Sequence, residues 1–220
     1  MSARRGCRIG VLASGSGTNV QSLLDYFADA GRDAGRIVWV GSNRLEAGAL
    51  QRAARAGVPH GLIDDPDDVS GPERQLAQFR TLGIDLLVLS GYLKLVPPVV
   101  VAAYRGGLLN VHPSLLPAFG GEGMYGMRVH EAVVAHGARI SGATVHFVDE
   151  HFDRGAIVSQ WPVRVRADDT PEQLAARVLQ AEHQLLPRTV AAVASGVVHL
   201  GSDGRVHGDV DLPDLPSIQA

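Results

Sequence analysis

The stretch Arg8-Ile9-Gly10-Val11-Leu12-Ala13-Ser14-Gly15-Ser16-Gly17-Thr18-Asn19 reads as an apolar strand running into a glycine-rich turn, and the alternation it begins decides the fold class. Residues 8–13 form a short apolar run ended by Ser and Gly, and residues 20–30 carry apolar positions at helical spacing. The rhythm then repeats: 37–41, 85–90 and 108–112 read as strands, with helices over 46–56 and 73–82. Such alternation predicts an α/β chain with a mostly parallel central sheet and right-handed crossovers. The strands are nearly continuous in Val, Ile and Leu, which fits helices on both faces and ligand sites beyond the strands' carboxyl ends. Both the glycine turn and Asn110-Val111-His112 fall at such ends.

Past Gly120 the pattern changes. Residues 141–148 and 156–165 read as strands on either side of the acidic turn Asp149-Glu150-His151-Phe152-Asp153-Arg154-Gly155, so a mixed edge is expected there. Thr170 followed by Pro171 and Glu172 is helix-start chemistry and predicts a helix over 171–195. No linker or repeat divides the chain, and 220 residues at 45% hydrophobic content suit one domain, 1–200. Residues 201–220, rich in Gly, Asp and Pro, are expected to be a surface or disordered tail.

A net charge of −3 lacks the basic excess of a nucleic-acid binder, so any phosphate recognition must be local. The single cysteine, Cys7, forms no internal disulfide and agrees with a reducing compartment. The apolar run after the basic start is too short for a signal peptide, and no segment reaches membrane-spanning length. The expectation is a cytoplasmic protein without membrane or nucleic-acid partners, monomeric or homodimeric.

Small residues between a strand and a helix let backbone N–H groups approach an anion, and the helix dipole adds to this. The turn is not a dinucleotide fingerprint, because Val20 stands where the third glycine would be and no ribose-binding acid follows the next strand. A plain strand-to-helix turn capped by Thr18 or Asn19 is the competing reading. In Asn110-Val111-His112-Pro113-Ser114-Leu115-Leu116-Pro117, the amide and imidazole at i and i+2 point to one side of an extended segment. That pair can steady an oxyanion and manage protons in acyl transfer, although a strand end with satisfied polar side chains has the same spacing.

Taken together with Thr144-Val145-His146-Phe147-Val148 and Asp153, these segments resemble the phosphoribosylglycinamide formyltransferases from about residue 8 to about 200. The resemblance implies a Rossmann-like formyltransferase fold. It implies transfer of a formyl group from 10-formyltetrahydrofolate, the co-substrate, to the primary amine of glycinamide ribonucleotide in purine biosynthesis, without a metal. It gives Asn110, His112 and Asp153 as the catalytic trio, with Asn110 and protonated His112 on the oxyanion and Asp153 tuning the imidazole and holding a proton-carrying water. Gly17, Thr18, Asn19 and Val20, with Glu182, are implied for the ribonucleotide. For the folate, Leu93, Lys94, Leu95 and Val96 are implied on one wall, with Asp149, Glu150, His151 and Phe152 on the other.

His146, His151 and Asp149 show no metal-ligand spacing, and His146 reads as a core or supporting histidine. Two departures stand out. Asp68-Val69-Ser70-Gly71-Pro72-Glu73 occupies the place where many members carry an arginine for the folate's glutamate, and the loop 118–127 is longer than usual, with glycines that suit a lid. Formyltetrahydrofolate deformylase resembles the same trio but lacks the phosphate loop. A catalytically silent folate or nucleotide binding module is the alternative of a different class.

Overall fold

Apolar side chains on both sides of a strand demand cover on both sides, and the sheet is built that way. The computed structural model describes residues 6–63 and 68–213. Its strands and helices run β1 Cys7–Leu12, α1 Thr18–Ala28, β2 Gly35–Ser42, α2 Gly48–Arg55, β3 His60–Leu62, α3 Gly71–Thr81, β4 Leu86–Leu89, α4 Pro98–Ala103 and β5 Leu108–His112. They continue with α5 Met127–His136, β6 Ile140–Phe147, β7 Ile157–Arg164, α6 Pro171–Ala194 and the small hairpin β8 His199–Leu200 with β9 Val206–His207. The main sheet has seven strands in the order β3-β2-β1-β4-β5-β6-β7. The first five pair in parallel, whereas β6 and β7 join antiparallel and make the expected mixed edge.

Side-chain alternation divides the interior in two. Ile9, Val11, Val40, Leu86, Val88, Leu109, Val111, Ala143, Val145 and Phe147 face one way and pack with α1, α2, α5 and α6. On the other face Leu12, Trp39, Leu87, Leu89 and Leu108 meet Leu76 and Phe79 of α3 and Val100, Val101 and Tyr104 of α4. Asn110 and His112 share this second face with Leu108, as do Thr144 and His146 from the neighbouring strand, with Asn110 opposite His146 and His112 opposite Thr144. Among the described residues the helices packed on that face are α3 and α4, and the gap they leave at the ends of β5 and β6 is a pocket.

The helix expected from Thr170 starts there with a capping box: Thr170 Oγ1 accepts from Gln173 N–H, and Gln173 Oε1 accepts from Thr170 N–H. At α1 the cap by Thr18 or Asn19 that the competing reading of the turn requires is absent. Gly17, at φ 74°, is the N-cap without a side-chain bond, and a Cβ there would lie 2.5 Å from Ala49 Cα, so only glycine fits. Five elements fall outside the sequence reading: the three-residue β3, the proline-led α4, the helix α5 after the glycine loop and the two-residue strands β8 and β9. Paired structure continues past residue 200 in β9, and the tail expectation for 214–220 lies outside the described residues. Among the described residues no helix is long and apolar enough to cross a membrane.

Candidate active site

Asn110, His112 and Asp153 meet at the open end of β5. His112 Nδ1 lies 3.4 Å from Asp153 Oδ2, and Asn110 Nδ2 lies 3.5 Å from Asp153 Oδ1. His146 completes the group, its Nε2 3.1 Å from Asn110 Nδ2 and 3.6 Å from Asp153 Oδ1. Its Nδ1 is 2.8 Å from the Phe147 carbonyl, which can only accept, so Nδ1 carries hydrogen and Nε2 is left to accept from Asn110. This orients the Asn110 amide. One N–H is spent on His146, and the other makes only the long contact to Asp153.

The loop after β5 is tied to the same group. Thr144 Oγ1 donates to Ser114 O and accepts from Leu116 N–H, fastening the loop to β6. His112 Nε2 donates to Phe119 O at 2.9 Å, and Gly121 N–H donates to Asp153 Oδ2 at 2.9 Å. The neutral ring therefore carries its hydrogen on Nε2 and turns the Nδ1 lone pair toward Asp153. Asp153 has φ 56°, a left-handed conformation that Asp and Asn tolerate better than most side chains. It is not a turn acid near solvent, since its side chain is 10% exposed.

Burial pushes the His112 ring below the ordinary histidine range, and His146 adds to this, although Asp153 and the Phe119 carbonyl pull upward. The shift favours the neutral form in the unliganded ring, whereas the protonated His112 that the resemblance implies belongs to the complex with the oxyanion. Asp153 is ionised. Burial opposes its charge, yet the carboxyl lies below its usual range, with the Gly121 N–H donating to Oδ2 among the contacts that favour the ionised form.

Two cavities meet at this point. The first is lined by Leu93, Lys94, Leu95 and Val96 on one side and by Asp149, His151, Phe152 and Asp153 on the other, with Asn110, His112 and His146 at its floor. At about 140 Å³ it is below the range that buries a whole drug-sized ligand, so it suits one ring system, with the remainder lying over exposed Leu93, Leu95 and Phe152. The second, about 390 Å³, is lined by Gly15 to Asn19, Ser90, His130, Leu179 and Glu182. Gly91, Val111, Pro113 and Gly126 line both.

The second cavity is built for a polar ligand. The first-turn N–H groups of α1 have no intrahelical acceptor and no side-chain cap. Asn19 Oδ1, Ser90 Oγ and His130 Nδ1 are buried without a hydrogen-bond partner. Glu182 is buried in its wall, with Asn19 Nδ2 donating to Oε2 at 2.6 Å, and burial pushes its carboxyl from 4.5 up to about 7.

A carboxyl whose folded pKa is raised costs nothing below its unfolded value and destabilises progressively as pH rises toward the folded value, here from 4.5 to about 7. Glu182→Gln should therefore gain stability relative to the native protein as pH rises, by roughly 3 kcal/mol above pH 7. Urea unfolding at pH 5 and pH 8 measures it, and a pH-independent difference would reject the assignment.

Two implied contacts are not where the resemblance put them. Val20 is fully buried in the core and leaves only its backbone for the second cavity. Glu150 lines a separate cavity with Arg105 and Arg154, to which Asp149 and His151 also contribute, and it is not among the residues lining the first cavity. His130 was missed: α5 follows a glycine loop, and nothing local marks a histidine on its buried face as cavity-lining. In the segment that lacks the expected arginine, Arg74 is engaged by Asp68 and Ser70. Among the described residues no group of three His, Cys, Asp or Glu is placed to hold a metal.

Residues 7–190 match the family described as Formyl transferase. The chain is 43% identical over 201 residues to the chloroplastic phosphoribosylglycinamide formyltransferase of Vigna unguiculata, covering 90% of this chain and 64% of that protein. To its namesake in Arabidopsis thaliana it is 40% identical over 201 residues, covering 90% and 68%. The chain thus spans about two thirds of the length of these plant relatives. The fold matches the crystal structure of glycinamide ribonucleotide transformylase 1 from Symbiobacterium toebii with a TM-score of 0.84 at 36% identity, covering 95% of this chain and 100% of that one.

Proposed function

The chain belongs to the formyl transferase family, and from that premise we propose that it transfers the formyl group of 10-formyltetrahydrofolate to the primary amine of glycinamide ribonucleotide, a step of purine biosynthesis. The observation that carries the reading is the pair of cavities that share Gly91, Val111, Pro113 and Gly126, one apolar and ring-sized with Asn110 and His112 in its lining, the other an anion cradle. The cradle takes the phosphate on the N–H groups around Gly17, Thr18 and Asn19, and Glu182 accepts from the ribose hydroxyls. The amine then points past Val111 and Pro113 toward the formyl carbon held beside Leu93, Lys94, Leu95 and Val96. A cytoplasmic location is part of the proposal, supported by a single cysteine in the whole sequence.

Attack of the amine on the formyl carbon forms a C–N bond and leaves an oxyanion and an ammonium. The second Asn110 N–H, held only loosely by Asp153 at 3.5 Å, turns to the oxyanion. His112 Nδ1, a lone pair at rest, takes the ammonium proton, and the imidazolium so formed is stabilised by Asp153 at 3.4 Å. The same proton passes to N10 of the folate as its bond to the formyl carbon breaks, which yields formylated ribonucleotide and tetrahydrofolate. Holding both substrates in register supplies much of the acceleration, roughly 7–11 kcal/mol where orientation is good.

Turnover of 10-formyltetrahydrofolate with and without glycinamide ribonucleotide tests the proposal. Formylated ribonucleotide should form only when the amine substrate is present. Formate release at an equal rate in water alone would make the chain a deformylase, and binding of both ligands without turnover would make it a silent binding module.

A further inference from the structure

The crevice of a parallel sheet lies where the strand order reverses, here between β1 and β4, and Ser14 follows β1 at that point. Its backbone N–H donates to Gly91 O at 3.0 Å, and its Oγ accepts from Leu93 N–H at 3.0 Å. Its hydroxyl hydrogen goes to Asn43 Oδ1 at 2.7 Å in the loop after β2. A serine hydroxyl has one hydrogen and two lone pairs, so Asn43, by taking the hydrogen, leaves a lone pair facing Leu93. One side chain, 2% exposed, thereby joins the ends of three strands.

The segments it joins line different cavities. Gly15 to Asn19, immediately after Ser14, line the anion cradle, Leu93 lines the ring-sized pocket, and Gly91 lines both. Gly91 has φ +67° with open space around it, so the shared wall has few side-chain contacts of its own and depends on its backbone hydrogen bonds. A ligand that orders the glycine loop orders Ser14, and through it the backbone of Gly91 to Leu93.

Resting on the two-substrate reading above, we propose that Ser14 is a positioning residue that couples the two substrate sites, so that ribonucleotide binding tightens folate binding. Linkage makes the coupling reciprocal: the same factor must appear in ribonucleotide affinity when the folate site is filled.

Calorimetry tests this on the full chain with tetrahydrofolate, which has no formyl group and permits no turnover, titrated with and without saturating glycinamide ribonucleotide. The native protein should bind tetrahydrofolate about 2- to 12-fold more tightly in the ternary complex, the range one net hydrogen bond supplies. Ser14→Ala should bring that ratio close to one and leave ribonucleotide affinity alone within about twofold, and Asn43→Ala, at a half-buried position, should lower the ratio partway. A native ratio of one overturns the proposal. So does a Ser14→Ala ratio equal to the native one, even if both affinities fall, because that is the signature of a merely structural serine. If Ser14→Ala does not fold, an unchanged ratio in Asn43→Ala overturns it. Failure of the native protein to bind ribonucleotide at all would remove the function reading itself, and the coupling with it.

Discussion

Replacement of His112 by alanine should cut turnover by about 10²- to 10⁴-fold, the usual contribution of a positioned proton-transfer group, with ribonucleotide affinity nearly unchanged. The ring is 3% exposed and anchored through Nε2 to the Phe119 carbonyl, so Nδ1 is held on the cavity side beside Asp153. The charge it handles exists only after attack begins, and for that reason kcat should fall rather than binding weaken. Because burial holds its titration below 6.5, the His112 limb of the kcat/KM profile should lie on the acid side of that value, as the base is protonated, and Glu182→Gln, which removes the carboxyl at about 7, is the background in which to read it. Single-turnover rates beside calorimetry distinguish the outcomes. A loss confined to ribonucleotide affinity, or an acid limb centred above 6.5 in that background, would contradict the assignment.

Asp153→Asn should be nearly as damaging to turnover, by about 10²-fold or more, while leaving the fold intact. Asn tolerates the left-handed backbone at φ 56° and keeps an oxygen for the Gly121 N–H. Since Asp153 Oδ2 meets both the Gly121 N–H and His112 Nδ1, the oxygen kept for Gly121 also faces the imidazole, the amide nitrogen takes the place of Oδ1 beside Asn110 and His146, and the charge that stabilises an imidazolium is withdrawn. The His112 titration should move further down, because the one carboxylate raising it is gone. Asp153→Ala should also destabilise, since it orphans the Gly121 N–H and strains the backbone. NMR titration of His112, pH–rate profiles and thermal unfolding of both variants decide between these effects. An unchanged His112 titration with near-native turnover would leave Asp153 only its bond to the loop.

Strand and helix identity was legible where an element is long enough to show its period. β5 is observed over the residues expected, and β1, β4, β6, β7, α1 and α6 begin and end within two residues of expectation. The elements that escaped are short or masked: β3 has three residues, α4 has six and starts at a proline, and α5 follows a run of glycines. A period of 3.6 or 2 cannot declare itself in three or six residues, and the ten residues of α5 go unread because the glycines before it carry no helix-start signal. The spacing of Asn110 and His112 put both on one face, because alternation along a strand is a local property.

What lies beside that face is not local. The antiparallel register sets Asn110 opposite His146, a return over residues 149–155 brings the Asp153 carboxylate to 3.4 Å from His112, and packing of α5 turns His130 toward the second cavity. The charge of His112 at rest is likewise decided by tertiary structure. Burial, which no short stretch of sequence records, disfavours the charged ring, and Asp153, which the fold brings beside it, favours that charge. Residue types and their spacing along single strands were determined by the sequence alone. Burial and contact across strands decided which of those residues meet and in which protonation state, because both depend on segments far apart in the chain.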